Sequence, residues 1–144
     1  MSPNSQPKAD RPLAEKNKSL WLFAKVIPGK QIGRKLGFPT INLDKPKLLR
    51  GKNEGVYACL VKINNIIYHG LLYYGPRLIL NEKEKILEIF ILDFKSEIYG
   101  KEIAFRLLDF IRKPEDFPTL DKFKKQLEKD SLMAFKIFTS AFKY

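Results

Sequence analysis

Residues 55–74 read GVYACLVKINNIIYHGLLYY, and the fold turns on how they pair. Two runs rich in β-branched, aromatic and other apolar residues, Gly55–Ile63 and Ile66–Tyr74, suit strands. Only Asn64-Asn65 separates them. Asn tolerates the positive φ that a two-residue hairpin turn requires, so the runs fold onto each other. Downstream, Gly75–Lys85 is a connection, and Ile86–Phe94 (ILEIFILDF) is a strand with apolar residues on both faces. Ser96–Gly100 turns the chain into a further strand, Glu102–Arg112. Upstream, Leu20–Ile27 is a strand ended by Pro28-Gly29. Phe38–Leu43 is extended, because Pro39 biases Phe38 away from helix. Asp44–Glu54 is loop.

Beyond Pro114–Pro118 the period changes. Leu120, Phe123 and Leu127 recur at helical spacing, with Lys122, Lys124 and Lys125 on the solvent side. Thr119 suits the N-cap, and Asp121 suits the first turn. Leu132, Phe135 and Phe138 continue this helix or start a second. Strands joined by short turns and followed by one helix describe a mainly β chain, a small antiparallel barrel closed by a helix. Residues 1–18 are polar, hold three prolines and show no periodicity, so they read as a flexible tail. Residues 19–144 form one domain.

The net charge is +11, and its distribution is uneven. Residues 1–50 hold 11 Lys/Arg against 3 Asp/Glu, whereas residues 51–118 hold 10 of each. A basic surface of this kind attracts polyanions, whether nucleotide, nucleic acid or anionic lipid. No apolar run approaches the roughly 18 residues of a membrane span, and no secretory signal opens the chain. The single Cys59 has no internal disulfide partner. These features point to a cytoplasmic protein that does not enter a membrane.

The chemistry is concentrated in residues 29–43, GKQIGRKLGFPTINL. Gly29, Gly33 and Gly37 recur every four residues among Lys30, Arg34 and Lys35. Such a loop can turn backbone amides and positive charge towards phosphate. It lacks the Gly-Lys-Ser/Thr ending of a P-loop. Thr40 and Asn42, two apart on an extended chain, share one face. Their hydroxyl and amide oxygens are hard neutral ligands that suit Mg²⁺ shared with substrate phosphates. A Thr-x-Asn strand is also common without any such role. Glu88 shares a strand face with Phe90, Leu92 and Phe94. Desolvation there would raise its proton affinity and suit it to general-base work. Alternatively, Glu88 ends the strand in solvent or pairs with Arg or Lys. His69 has no metal-ligating neighbours in sequence, and Cys59 reads as a small core residue.

Four blocks together resemble the riboflavin kinase family: VIPGKQIGRKLGFPTINL, GVYACLVKI, LEIFILDFKSEIYGKEI and LLDFIRKPEDFPTLDKFKKQLEKD. The resemblance runs from about Leu22 to Asp130, in the family's order and spacing. Ile41 stands in the Ala position of the Pro-Thr-Ala-Asn motif. Phe90 stands where the family has His. Gly75 and Arg77 are what remains of its Asn-Ile-Gly-x-Arg-Pro-Thr segment. The resemblance implies a six-stranded antiparallel Greek-key β-barrel with a C-terminal α-helix. It implies transfer of the ATP γ-phosphoryl group to the 5′-hydroxyl of riboflavin, giving FMN and ADP. Thr40 and Asn42 would hold Mg²⁺, with Gly29, Arg34 and Lys35 near the phosphates. Ile91, Asp93 and Tyr99 would line the nucleotide side, and Arg112 and Phe117 would meet the flavin. Glu88 would take the hydroxyl proton. The expected protein is a monomer, either a stand-alone kinase or a domain excised from a longer one, with no nucleic acid partner. Two other readings stand beside it. One is a basic barrel that stacks single-stranded nucleic acid on Tyr57, Tyr73 and Tyr74. The other is a flavin-binding family member without turnover.

Overall fold

The computed structural model describes residues 20–30 and 32–140; the expected N-terminal tail lies outside them. Six strands, β1 (Leu22–Ile27), β2 (Thr40–Leu43), β3 (Gly55–Ile63), β4 (Ile66–Pro76), β5 (Lys85–Ile91) and β6 (Glu102–Arg112), close a barrel. Its order is β1-β2-β5-β4-β3-β6, and every pairing is antiparallel. The β3–β4–β5 meander with β2 returning beside β5 is a Greek key. A four-residue helix, α1 (Ile32–Lys35), fills the glycine loop, and α2 (Leu120–Ser140) follows the barrel.

The β3–β4 hairpin forms as its sequence requires. Asn64 and Asn65 adopt φ of 52° and 66°, and the register runs unbroken from Gly55↔Tyr74 to Ile63↔Ile66. β3 is almost continuously apolar because both its faces are covered. Tyr57, Cys59, Val61 and Ile63 point into the barrel, where they meet Leu72, Leu87, Ile89 and Phe105. Val56 and Ala58 point outward and pack under α2 against Ala134 and Phe138. Tyr57 and Tyr74 are therefore core residues, 7% and 3% exposed. Tyr73 is half-buried and bonds its hydroxyl to the Pro76 carbonyl. None of the three is a surface stacking platform.

β5 is shorter than the ILEIFILDF run suggests. It ends at Ile91, and Asp93 sits in the left-handed region at φ 59°. Glu88, Phe90 and Leu92 keep to the outer side, whereas Phe94 packs against the barrel interior. α2 is one continuous helix. Thr119 caps it, its Oγ1 accepting from Lys122 N at 3.2 Å. Its buried positions are Asp130, Ala134 and Phe138. Leu132 and Phe135, 65% and 59% exposed, face outward instead of continuing the apolar side. Among the described residues no helix is long and apolar enough to cross a membrane.

Candidate active site

The barrel interior is filled with apolar side chains, so a polar site must sit on an outer face. β2 and β5 supply one. Asn42 pairs with Glu88 and Thr40 with Phe90, while Tyr73 flanks Glu88 from β4. Alternation keeps the interior residues Leu87, Ile89 and Ile91 on the opposite side of β5. Thr40 lies diagonal to Glu88, and its hydroxyl donates to Glu88 Oε1 at 3.3 Å. The Glu88 carboxyl is held above the ordinary carboxylate range, chiefly by burial. The Arg77 charge and the Thr40 hydrogen bond act in the opposite direction and do not overcome it. Burial also pushes the Tyr73 phenol up to about 12, helped by the Glu54 and Glu88 charges. Tyr73 is therefore a neutral neighbour at physiological pH.

Two cavities lie in this region, and Arg77 lines both. The first is largely apolar and encloses about 780 Å³, including space open to solvent. Its walls include Phe38, Leu71, Phe90, Phe117, Phe123 and Leu127, and it reaches Thr40 and Glu88. Phe38 and Phe90 meet edge to face at 5.3 Å, and Phe117 stacks on Phe123 at 5.3 Å. The second cavity is the more polar of the two and of mixed charge, lined by Gly29, Lys30, Asn42, Asp44, Glu84, Lys85 and Arg77 among others. Gly29 is there for proximity. A Cβ at this position would lie 1.9 Å from Asn42 Nδ2 and 2.2 Å from its Cγ.

Arg77 was given no role by the sequence, yet it holds this region together. Its Nη2 donates to Asn42 Oδ1 at 2.7 Å, and its Nη1 to Glu82 Oε1 at 3.3 Å. Glu82 is also within 3.5 Å of Lys30 Nζ. A second unforeseen residue is Asp130, 1% exposed on α2. It accepts from Arg112 Nε at 2.9 Å and Arg112 Nη2 at 2.9 Å, and from Gln126 Nε2 at 2.9 Å. That grip holds the Arg112 guanidinium 5.7 Å from the Phe117 ring centroid, at the wall of the apolar cavity. The available signal was an acid at i+3 from Leu127, on the helix's apolar side.

The other expected residues are distributed unevenly. Arg112 and Phe117 line the apolar cavity together. Arg34 and Lys35 are exposed on α1 and line neither of these two cavities; Lys30 lines the polar one. Ile91 is a core residue, 4% exposed. Asp93 borders a separate groove beside His69 and Phe138. Tyr99 is 46% exposed. The next residue, Gly100, donates its N–H to Val26 O at 2.7 Å, three positions before Gly29.

Thr40 and Asn42 offer two neutral oxygens, and Asn42 Oδ1 already accepts from a cationic partner, Arg77. That donor chemistry fits Mg²⁺, which completes its shell with water and phosphate oxygens. Among the described residues no cluster of three or more His, Cys, Asp or Glu offers another metal site.

A closed barrel with a half-buried carboxylate, Glu88, lining an apolar chamber, and a second chamber of mixed charge beside it, defines a small-molecule site with two unlike halves. Sequence comparison narrows that class. The family model described as Flavokinase, riboflavin kinase, matches residues 17–138, and the chain belongs to the riboflavin kinase family. It is 41% identical over 106 residues to the RNA-binding riboflavin kinase RibR of Bacillus subtilis, covering 73% of this chain and 45% of that protein. It is 36% identical over 122 residues to a bifunctional riboflavin kinase/FMN adenylyltransferase of Haemophilus influenzae, covering 83% and 39%. The chain thus spans less than half the length of either. The riboflavin kinase of Trypanosoma brucei shares the fold, with a TM-score of 0.61 at 21% identity over 84% of this chain and 80% of that one.

Proposed function

We propose that this chain transfers the γ-phosphoryl group of ATP to the 5′-hydroxyl of riboflavin, giving FMN and ADP. The observation that carries this reading is the position of Glu88. A desolvated carboxylate borders the apolar chamber, bonded to the Thr40 hydroxyl and paired across the strands with Asn42 of the polar chamber. A flat heteroaromatic ring fits the phenylalanine-lined side, with Arg112 and Phe117 at its edge. A triphosphate fits the polar side, where Gly29 brings backbone close and Lys30 and Arg77 bring charge. Arg34 and Lys35 add positive potential from α1. Of the three residues expected on the nucleotide side, Tyr99 is exposed next to Gly100, whereas Ile91 lies in the barrel core and Asp93 borders the separate groove, so no nucleotide contact is assigned to those two.

Thr40 and Asn42 would hold magnesium, which supplies charge neutralisation to the phosphate oxygens when bound. Glu88 accepts the proton of the ribityl hydroxyl as its oxygen bonds to the γ-phosphorus. The bond from that phosphorus to the β–γ bridging oxygen breaks, and ADP departs with the electron pair. Thr40 orients the carboxylate, and the apolar wall excludes water that would compete as acceptor. Phosphoryl transfer needs this positioning and charge complementarity more than covalent chemistry. The buried, unpaired Cys59 suits a reducing compartment such as the cytoplasm.

The test is direct. The chain is incubated with riboflavin and ATP, with Mg²⁺ or with a chelator, and the flavins are separated by chromatography. FMN forms only when ATP and Mg²⁺ are both present. Retention of bound riboflavin with no FMN under any condition would leave a flavin-binding protein and overturn the kinase reading.

A further inference from the structure

Arg77 alone among the described residues lines both the apolar and the polar cavity. It therefore stands where a phosphoryl group would cross from one chamber to the other. Its side chain is only 10% exposed, on the turn from β4 into the short 3-10 segment Leu78–Leu80. Its bonds are incomplete. Nη2 reaches Asn42 Oδ1 at 2.7 Å, Nη1 reaches Glu82 Oε1 at 3.3 Å, and Nε is buried without a partner. A buried guanidinium with an idle donor departs from the usual satisfaction of buried polar groups and suggests a second position in which that donor is used. Asn42 Oδ1 is also the oxygen assigned above to magnesium. A guanidinium at 2.7 Å and a metal ion on the same oxygen would bring two cations together, a repulsion that moving the guanidinium relieves.

We propose that Arg77 is a catalytic residue with two positions. At rest it braces Asn42. With nucleotide bound it exchanges Asn42 Oδ1 for the oxygens of the transferring phosphoryl group, while keeping Glu82 as its pivot. The proposal rests on the kinase reading and adds to it the residue that stabilises the transition state. As the hydroxyl oxygen bonds to phosphorus and the bridging bond breaks, negative charge builds on the equatorial and leaving oxygens. The planar fork of Arg77 meets that charge with two or three donors, a geometry lysine cannot reproduce. Arginines acting on phosphoryl groups in this way contribute about 10³- to 10⁵-fold to turnover.

The full chain is tested as wild type, Arg77→Met and Arg77→Lys, with thermal melts to confirm folding. Arg77→Met is expected to lower kcat for FMN formation by about 10³-fold, well beyond any change in the KM for riboflavin or the Kd for MgADP. Arg77→Lys recovers a small part of the loss. The second readout needs no turnover. MgADP with aluminium fluoride and riboflavin mimics the transition state, and its binding is followed by quenching of flavin fluorescence. Wild type binds this combination much more tightly than MgADP and riboflavin alone, and both variants lose that difference. If Arg77→Met does not fold, the same comparison on Arg77→Lys decides the matter. Retention of the aluminium fluoride enhancement, or kcat within threefold of wild type, would overturn the role of Arg77 alone. Absence of FMN formation by the wild type would instead remove the kinase reading beneath it.

Discussion

Gly29→Ala isolates the packing of the polar chamber from everything else in the barrel. Gly29 has no left-handed φ, so alanine fits its backbone, and any effect comes from the added methyl. That carbon would lie 1.9 Å from Asn42 Nδ2, 2.2 Å from Cγ and 2.6 Å from Oδ1. Ordinary contact is about 3.4 Å, so one partner must move by roughly 1.5 Å. Turning the amide about its last torsion does not help, because Cγ itself is too close. Asn42 is 6% exposed and held by Arg77, so it has little room to retreat. A displacement near 1 Å in a reacting geometry can cost about 10²-fold, equivalent to about 2.7 kcal/mol of barrier. Gly29→Ala should therefore lower kcat/KM for MgATP by about 10²-fold or more, with a melting temperature lowered by a few degrees, since overpacking costs about 1–3 kcal/mol. The decisive measurement is the cycle with Asn42→Ala. If the methyl acts by pushing Asn42, the double variant is no slower than Asn42→Ala alone. Losses that add in full would show that Gly29 acts elsewhere and that the contact with Asn42 has no functional weight.

Further outcomes follow from the same geometry. Glu88→Gln should abolish FMN formation while riboflavin binding survives, and turnover within tenfold of wild type would remove Glu88 as the base. Because burial holds the Glu88 carboxyl above its ordinary value of about 4.3, the acid limb of kcat/KM should fall above that pH. The stability linkage has a definite sign: a raised folded-state pKa contributes stability below the unfolded value, which is lost as pH rises through the folded one. Glu88→Gln should therefore raise the melting temperature at neutral pH, with a gain that shrinks towards pH 4; a fall at neutral pH would contradict the dominance of desolvation. Asp130→Asn leaves Arg112, whose side chain is 16% exposed, without its counter-charge. A broken buried pair costs about 3–5 kcal/mol, on the order of 10 °C for a domain of this size, and riboflavin binding should weaken with it. A shift under about 2 °C would show that the pair carries little.

What could be read from the sequence was what depends on neighbours along one strand or helix. The turn at Asn64-Asn65, the bounds of β3 and β6, and the cap at Thr119 each follow from local residue chemistry. Thr40 and Asn42 share a side because alternation puts them there, and Glu88 was conspicuous as an acid among apolar residues. What escaped was fixed by long-range partners. Arg77 meets Asn42 across 35 positions, and Arg112 meets Asp130 across 18. Nothing near any of them names the partner. The extent of β5 failed for a related reason: an apolar run cannot show where the backbone leaves the sheet, and Asp93 takes the left-handed turn that sends Phe94 back to the interior.

That division has a physical origin. A six-stranded barrel of this size fills its own interior, so Glu88 could not be placed inside without an unpaired buried charge. The site is therefore built on the outer face of β2 and β5, and an outer face needs a cover before it can desolvate a carboxylate. The cover comes from the Arg77–Leu80 turn and the first half of α2. These are the segments that carry Arg77, Phe123, Leu127 and Asp130, which grips Arg112 at the end of β6. Strand alternation sets which groups can react, while the covering segments set how dry they are and which charge faces them. A family member can thus keep Thr40, Asn42 and Glu88 and still change its rate or substrate fit through the cover. Replacing Phe90, on the strand beneath that cover, with histidine tests the point. The barrel should melt as before, since Phe90 lies outside the inner core. The KM for riboflavin should change more than the KM for MgATP, because Phe90 lines only the apolar chamber of the two. An effect confined to MgATP would mean that the chambers are not separate binding sites.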